Sequence, residues 1–512
     1  MSFQAEALPP SSTSTLSDTS GRTWTPLYTH SCTFPPEIFR EVMLNLIRNP
    51  NIDSTHLFRA DILLDTKYAD HSAGQAGVRA KITHFSGYDL QTIMVRTLVP
   101  RKPKVDFPMD QTCLLYEKQG GQGELQSLVV YLPHFTSPSE SPFYHPAIQG
   151  IAFLHIYDTT TRTATVSIDY AFFDSLPRSA KLERTAQHLL SSVYKHGQGR
   201  ASGYVKRVQH DVIVPQAAVQ NKYSELKSKY ARPIIDSWVE ATDPGKHVFE
   251  DLGIAAFLIE LWKDMYKHDS FPGFVDIGCG NGLLVHILLE EGYTGWGFDA
   301  RARKSWSIYG AKAKDNLHEM VLIPAIIQSK TQTPSTASNE GVLLQDSKEE
   351  ISATQFETVT TANNDKDAKI HNGLFPSGTF IISNHADELT PWTPILASLS
   401  ASPFMMIPCC SHALNGARYR APPSKEAGVS NSAYASLVTW VSEIARQCGW
   451  SIETEMLRIP STRNTALIGR TRAGNNGGDV VEEMKKLVDD YGGAAGWEEN
   501  ALKLVSASAR GH

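Results

Sequence analysis

Apolar positions keep three rhythms along this chain. Between Pro35 and Ile47, the residues Ile38, Phe39, Val42, Met43, Leu46 and Ile47 recur every third or fourth place, which predicts one amphipathic helix. Strand-like runs follow at Gln91 to Val99, Thr112 to Glu117, Leu125 to Leu132, Ile151 to Tyr157 and Thr163 to Tyr170, separated by Pro- and Gly-rich turns, and predict an α+β module. Val212 to Trp262 reads as mainly helical, and His247 to Tyr266 is apolar on most faces, as a helix packed on a sheet would be. Strand and helix then take turns. Strands are expected at Phe274 to Ile277, Trp296 to Asp299, Met320 to Ile327, Thr379 to Ser383 and Phe404 to Pro408, with helices from Leu283 to Gly292, across 303–317 and from Ser432 to Gln447. A strand pair, Ser451 to Leu457 and Thr465 to Gly469, closes the series. This alternation predicts an α/β fold with a parallel sheet covered on both faces and an antiparallel hairpin at its end.

The remaining stretches lack such rhythm. Residues 1–25 are rich in Ser, Thr and Pro and are expected to be a disordered leader, and the polar segment 329–371 a disordered insertion. The resulting plan is a leader at 1–25, an α+β module at 26–210, an α/β domain at 211–470 carrying the insertion, and a helical tail at 471–512. A chain of 512 residues supports two or three domains, each with a core of its own. No apolar run nears the ~18 residues of a membrane span, because the longest, Gly253 to Trp262, is broken by Glu260. No membrane contact is expected. The first residues have neither an apolar core nor an arginine-rich face, so a cytoplasmic location is expected.

Six cysteines show no C-x-x-C pair and no zinc spacing, so reduced thiols and no metal are expected; the adjacent Cys409 and Cys410 read as small buried residues after a strand. A net charge of -6 does not mark the whole protein as a nucleic-acid binder, and no DNA partner is expected. Local clusters differ. No acid lies between Glu183 and Asp211, a stretch holding Arg184, Lys195, Arg200, Lys206 and Arg207, or between Glu388 and Glu426, a stretch holding Arg418 and Arg420. A third cluster is Arg301, Arg303 and Lys304. Each is a solvated face or a phosphate contact. Phe143, Tyr144 and His145 are candidates to stack on a base, with a core or turn role favoured over it.

The chemistry gathers at Phe274 to Trp306. A short apolar strand ends at Asp276, and Gly278, Cys279, Gly280 and Gly282 follow before Leu283 opens a helix. Glycines permit positive φ and close approach of a ligand to main chain, and the helix-start amides face that ligand. Asp299, with Ala300 after it, ends the next strand roughly 20 positions on, the offset at which a carboxylate reaches ribose hydroxyls. The spacing is D-x-G-x-G-x-G, not the dinucleotide G-x-G-x-x-G, and the acid before the glycines would repel a pyrophosphate and attract the ammonium or sulfonium of S-adenosylmethionine. This form resembles the first motif of Rossmann-like methyltransferases.

Six blocks in order extend the likeness: VKRVQHD at 205–211, KHVFEDLGIAAFLIELW at 246–262, the glycine-loop block at 275–306, ISNHADELTPW at 382–392, IPCC at 407–410 and IPSTRNTALIG at 459–469. With them the chain resembles the eukaryotic tRNA (uracil-2'-O)-methyltransferase family, which methylates uridine 44 of serine tRNA. The resemblance covers about residues 195–470 and implies a Rossmann-like S-adenosylmethionine-dependent methyltransferase domain behind the α+β module. It implies serine tRNA as partner, leaves any helper protein open, and places Asp276, Gly278, Gly280, Gly282 and Asp299 on the cofactor and Arg301, Arg303 and Lys304 on phosphate. The segment Ser383 to Trp392 leaves a strand at the crevice, so Asp387 is a candidate base or orienting group, with His385 as the alternative proton acceptor, Asn384 as a hydrogen-bond partner of the substrate, Glu388 beside them and Trp392 as a stacking surface. Asp387 or Glu388 could equally cap the helix that Thr390 and Pro391 start. The Lys-Asp-Lys-Glu set of other Rossmann-like ribose methyltransferases is not visible. A methyltransferase of this fold acting on protein or a small molecule, and a non-catalytic tRNA-binding subunit, are the competing readings.

Overall fold

The computed structural model describes residues 3–9, 12–70, 78–102, 105–173, 179–203, 210–328, 357–360, 367–423, 432–473 and 479–506. The chain forms two compact units, Met1–Arg207 and Val208–His512.

The first unit contains strands β1 (Glu6–Ala7), β2 (Trp24–Cys32), β3 (Leu57–Lys67), β4 (Asp89–Pro100), β5 (Met109–Gln119), β6 (Glu124–Pro133), β7 (Gly150–Asp158) and β8 (Thr163–Ala171), with helices α1 (Pro36–Arg48) and α2 (Ala180–Ala201). The strands make one antiparallel sheet in the order β1-β2-β8-β7-β6-β5-β4-β3. The apolar run in β6 is continuous because both sheet faces are covered. Val129 and Tyr131 join Phe39, Met43, Leu190 and Val193 of the helices, whereas Leu128, Val130 and Leu132 point to Trp24, Phe85 and Tyr116. Successive side chains in a strand alternate faces, so one run feeds two cores.

That second core corrects the disordered leader. Leu16 is buried in it, and the Asp18 carboxylate takes bonds from the main-chain N–H of Ser20 and Arg22 and from Trp24 Nε1. Ser14 Oγ donates to Asp169 Oδ2 at 2.7 Å. Specific donors to buried carboxylates order a segment whose composition alone predicts disorder. Helix α2 and strands β2 and β3 were not expected either. Ser179 Oγ caps α2 by accepting from Leu182 N–H, and Gly197 lets the helix meet Phe34, whose ring carbon would lie 2.5 Å from an added Cβ. His145 is buried and Tyr144 donates to the Leu98 carbonyl, which are core and turn roles, while Phe143 stays exposed.

The second unit begins with α3 (Gln216–Leu226), α4 (Arg232–Asp236) and α5 (Pro244–Met265). Then follow β9 (Phe274–Ile277), α6 (Leu283–Glu290), β10 (Gly295–Asp299), α7 (Ala311–Lys314), β11 (Leu317–Glu319), β12 (Val321–Leu322), β13 (Glu357–Thr360), β14 (Asp367–His371) and β15 (Phe380–Asn384). The chain closes with α8 (Thr393–Leu399), β16 (Phe404–Ile407), α9 (Ala433–Gln447), β17 (Trp450–Met456), β18 (Thr465–Arg472), α10 (Val480–Asp490) and α11 (Trp497–Ser506). The main sheet runs β11-β10-β9-β15-β16-β18-β17; its first five strands are parallel and β18 lies antiparallel to both neighbours. Alternating residues again serve two layers. Phe274, Ile382 and Met405 pack under α5 and α6, while Val275, Ile381 and Phe404 pack under α8 and α9. Strand order reverses between β9 and β15, and a crevice opens at the carboxyl ends of strands at such a point.

Two expectations fail locally. The helix expected across 303–317 is a single 3₁₀ turn at Lys304–Ser307 followed by α7, and the next sheet strand is β11, earlier than Met320. Trp306 and Tyr309 are pulled inward as partners of the glycine loop, and this folds the segment back too tightly for a continuous helix. The expected insertion lies outside the described residues at 329–356 and 361–366, but its described parts pair: β14 is antiparallel to β13 and parallel to β12, with Ile370 and His371 buried. The tail helices α10 and α11 pack on the domain through Met484, Leu487 and Trp497. Among the described residues no helix is long and apolar enough to cross a membrane.

Trp497 is 3% exposed and its Nε1 donates to the Leu322 carbonyl at 2.8 Å. Trp497→Ala should therefore destabilise the second unit by about 3–5 kcal/mol, since it leaves a cavity and an unpaired carbonyl. Denaturant unfolding checks this, and a loss under ~1 kcal/mol would show that α11 is not anchored there.

Candidate active site

Strand β9 ends in a loop whose three glycines all take positive φ, +71° at Gly278, +53° at Gly280 and +72° at Gly282. Each has a different neighbour. An added Cβ would stand 3.1 Å from Ala386 at Gly278 and 2.8 Å from Leu317 at Gly282, but would meet nothing within 4 Å at Gly280. Only Gly280 looks onto open space. The loop is held from behind: Trp306 Nε1 donates to the Gly280 carbonyl at 3.0 Å, and Ser305 Oγ and Tyr309 OH donate to that of Asn281. Asn281 Oδ1 accepts from Leu283 N–H, the first amide of α6, whose N-cap position is Gly282.

Asp299, at the end of β10, accepts from Gly280 N–H at 3.0 Å and from Arg301 N–H at 3.3 Å, with the Arg303 guanidinium 3.8 Å away. Asp276, at the end of β9, is 1% exposed and neither carboxylate oxygen has a partner. Burial first, then the charges of Asp251 and Asp299, push its carboxyl well above the usual carboxylate range. Asp251 on α5 is pushed up to about 8, by burial and then by Glu250, although Asn384 Nδ2 at 3.4 Å works the other way. These groups line one cavity of about 500 Å³. A buried carboxylate without a donor seeks a cation, and beside it lie bare main chain and a second acid. The site fits the ammonium, backbone contact and ribose of S-adenosylmethionine.

Beside the glycine loop the cavity is lined by the segment after β15, the strand paired with β9. His385 and Asp387 have φ of +52° and +44°, a left-handed conformation that non-glycine residues rarely adopt. His385 Nε2 lies 3.1 Å from Glu250 Oε1, and burial would raise Glu250, but the bond and charge of His385 hold it below the usual range. Cys409 Sγ donates to Asp387 Oδ1 at 3.0 Å. Cys409 and Cys410 are half-buried and line the cavity, so they are not the plain filler expected. Among the described residues, Asp387, Cys409 and Cys410 are the one group of three whose ligand atoms, all within 4.8 Å of one another, could hold a metal.

Asp276, Gly278, Cys279, Gly280, Asp299 and Ala300 line the cavity, as do Asn384, His385, Asp387 and Glu388. Gly282 and Leu283 do not: Gly282 packs against Leu317, and Leu283 is buried in the core. One residue further along α6 the helix has rotated by about 100° and presents Leu284. Trp392 is no stacking surface, being fully buried with Nε1 donating to the Leu414 carbonyl. Helix α8 starts at Thr393 with Trp392 in the N-cap position, so neither Asp387 nor Glu388 occupies that place. Arg301 and Arg303 line the cavity, whereas Lys304, Arg418 and Arg420 are exposed outside it. Lys206 and Arg207 lie outside the described residues. The sequence reading missed Glu250, Asp251 and Arg463 in the cavity wall. Two adjacent acids at the head of the apolar run Leu252 to Ile259 were the available signal for the first two.

This fold and site define an S-adenosylmethionine-dependent methyltransferase. A family described as "Predicted AdoMet-dependent methyltransferase" matches residues 213–324, and "TRM44-like, N-terminal bet v1-like domain" matches residues 4–207. The chain is 53% identical to a tRNA (uracil-O(2)-)-methyltransferase of Neurospora crassa, over 95% of this chain and 93% of the relative. It is 38% identical to the protein of that name from Schizosaccharomyces pombe, over 96% and 94%, and 36% to that from Debaryomyces hansenii, over 100% and 98%. The chain belongs to the tRNA (uracil-O(2)-)-methyltransferase family.

Gly280→Val should abolish binding of S-adenosylmethionine while the chain still folds, because the side chain enters open space and the strain of φ +53° costs only about 1–2 kcal/mol. Calorimetric titration reads this, and normal affinity would remove the cofactor from this loop. Raising pH through about 8 charges the buried Asp251, so its stabilising effect, complete below the ordinary carboxylate range, is lost on the way up. The melting temperature of the cofactor-free protein should fall from about pH 4 to about pH 8 and level off above that, and fall less in Asp251→Asn. Equal slopes for the two proteins would refute it.

Proposed function

We propose that this chain methylates the ribose 2'-oxygen of a uridine in tRNA, and that its acceptor is uridine 44 of serine tRNA. The observation that carries this reading is the pairing, across one cavity, of the partnerless Asp276 carboxylate with the strained segment Asn384 to Glu388. S-adenosylmethionine, when bound, supplies a methyl group already activated on a sulfonium. The chain's own task is then to align the ribose oxygen and take its proton.

Asp276 holds the ammonium end and Asp299 the ribose of the cofactor, with Gly278, Cys279, Gly280 and Ala300 giving close main-chain or small-residue contact. Asn384, His385, Asp387 and Glu388 flank the acceptor. Arg301 and Arg303, with the unforeseen Arg463, supply positive charge at the cavity for phosphate, and Lys304, Arg418 and Arg420 extend it over the exposed surface. Recognition of a 2'-hydroxyl rests on shape and backbone more than on base edges, which suits a site lined by three arginines and Lys246. For the N-terminal unit we propose a tRNA-contacting role. Its exposed Phe143 ring carries the Lys181 ammonium 4.1 Å from its centroid, a combination that stacks and neutralises single-stranded RNA. All six thiols are unpaired, which fits a reducing compartment, and we place the enzyme in the cytoplasm.

Incubation of the full chain with labelled cofactor and either tRNA or protein extract should put label into RNA, and into serine tRNA above other species. Alkaline hydrolysis should leave one resistant linkage 3' of the labelled uridine, because a methylated 2'-oxygen cannot attack the neighbouring phosphate. Label on a base, or in protein, would reject the assignment.

A further inference from the structure

We infer that His385 accepts the proton of the reacting ribose oxygen and that Glu250 is a positioning residue fixing the imidazole for that task. The inference rests on the proposed 2'-O-methylation and names the proton acceptor it leaves open. His385 Nε2 faces Glu250 Oε1 at 3.1 Å, with the Glu250 side chain only 8% exposed. A nitrogen held against a carboxylate carries the hydrogen, so in the neutral ring the other nitrogen, Nδ1, keeps its lone pair. The ring is a quarter exposed and lines the cavity that also holds Gly280 and Asp276. It is both sheltered and reachable.

Four further observations single out this pair. Backbone at His385 is left-handed, φ +52°, and such strain persists only where surrounding structure imposes it, most often at functional sites. Ala386, the next residue, packs on Gly278, with 3.1 Å to that glycine's added Cβ, so the strained segment is keyed directly to the cofactor loop. Asp387 is differently engaged, with one oxygen accepting from the Cys409 thiol at 3.0 Å. Asp276 and Asp251 are held toward their protonated forms by burial, which makes them poor acceptors at neutral pH.

The proposed step balances. As the O–CH₃ bond forms and the S–CH₃ bond breaks, the sulfonium becomes a neutral thioether. The proton from the 2'-oxygen passes to Nδ1, and the resulting imidazolium lies beside the Glu250 carboxylate. Charged neighbours of the pair come from several elements: Lys246, His247 and Asp251 from α5, and Asp387 and Glu388 from the ring's own segment. Asp276 of β9, the two cysteine thiols after β16 and Arg463 complete the wall. Of these, Glu250 is the one in direct contact with the imidazole, and a carboxylate there favours the imidazolium.

The test compares His385→Asn and Glu250→Gln with the wild-type full chain, reading methyl transfer to serine tRNA from pH 5 to 9. Asn tolerates left-handed backbone, and Gln keeps the shape of Glu, so both variants retain the local fold. His385→Asn should lower kcat by about 10²-fold or more, with affinities for S-adenosylmethionine and tRNA changed less than about threefold. Glu250→Gln should lower kcat less, with KM for S-adenosylmethionine and for tRNA unchanged. A His385→Asn rate within about threefold of wild type, an unchanged kcat in Glu250→Gln, or loss of cofactor binding in either variant would overturn the assignment. If the wild-type chain itself transfers no methyl to tRNA, the proposed function fails and this inference falls with it; wild-type transfer with indifferent variants overturns the inference alone.

Discussion

The hydrogen bond from the Gly280 amide to the Asp299 carboxylate is the constraint on which the site depends. It joins the ends of neighbouring strands β9 and β10 across the loop that separates strand from helix. Bonds to a charged acceptor are worth about 1.5–3 kcal/mol, enough to hold a glycine loop in left-handed backbone that it does not strongly prefer. With that bond made, Trp306, Ser305 and Tyr309 can satisfy the loop carbonyls from outside the cavity, and the inner side of Gly280 stays bare. The same three residues explain why the chain after β10 folds back instead of continuing as a helix.

Around this loop the protein concentrates acid in a poorly solvated place. Glu250 and Asp251 come from a helix largely buried in the core, and Asp276 from β9, which lies between β10 and β15. Mutual repulsion and burial keep Asp251 and Asp276 toward their neutral forms, whereas Glu250 stays charged because His385 is its partner. A carboxyl kept neutral by burial regains its charge when a cation is brought beside it, whereas Glu250 is already charged beside His385.

Strain is placed where these demands meet. His385 and Asp387 both adopt left-handed backbone within three residues, while Ala386 between them is the contact to Gly278. A straight exit from β15 would carry the segment away from the loop. The N-terminal unit shows the same economy in another form, for its β6 run serves two cores and its polar leader closes one of them.

Much of this was legible in the order of residues. Apolar runs marked β4 to β8 of the first unit and β9, β10 and β15 to β18 of the second, because burial on a sheet imposes a period of two or an unbroken run, and the glycines with Asp276 and Asp299 marked the cavity, because together they put bare main chain beside two acids. The leader misled because its order comes from a few long-range bonds to Asp18 and Asp169, which composition does not register. Tertiary structure alone decided which helix face looks into the cavity, so Leu284 lines it and Leu283 does not, and Trp392 is core and not platform. It alone brought Glu250 to His385 across a sequence separation of 135 residues, since pairing of side chains so far apart depends on strand order in the sheet, a property of no local segment.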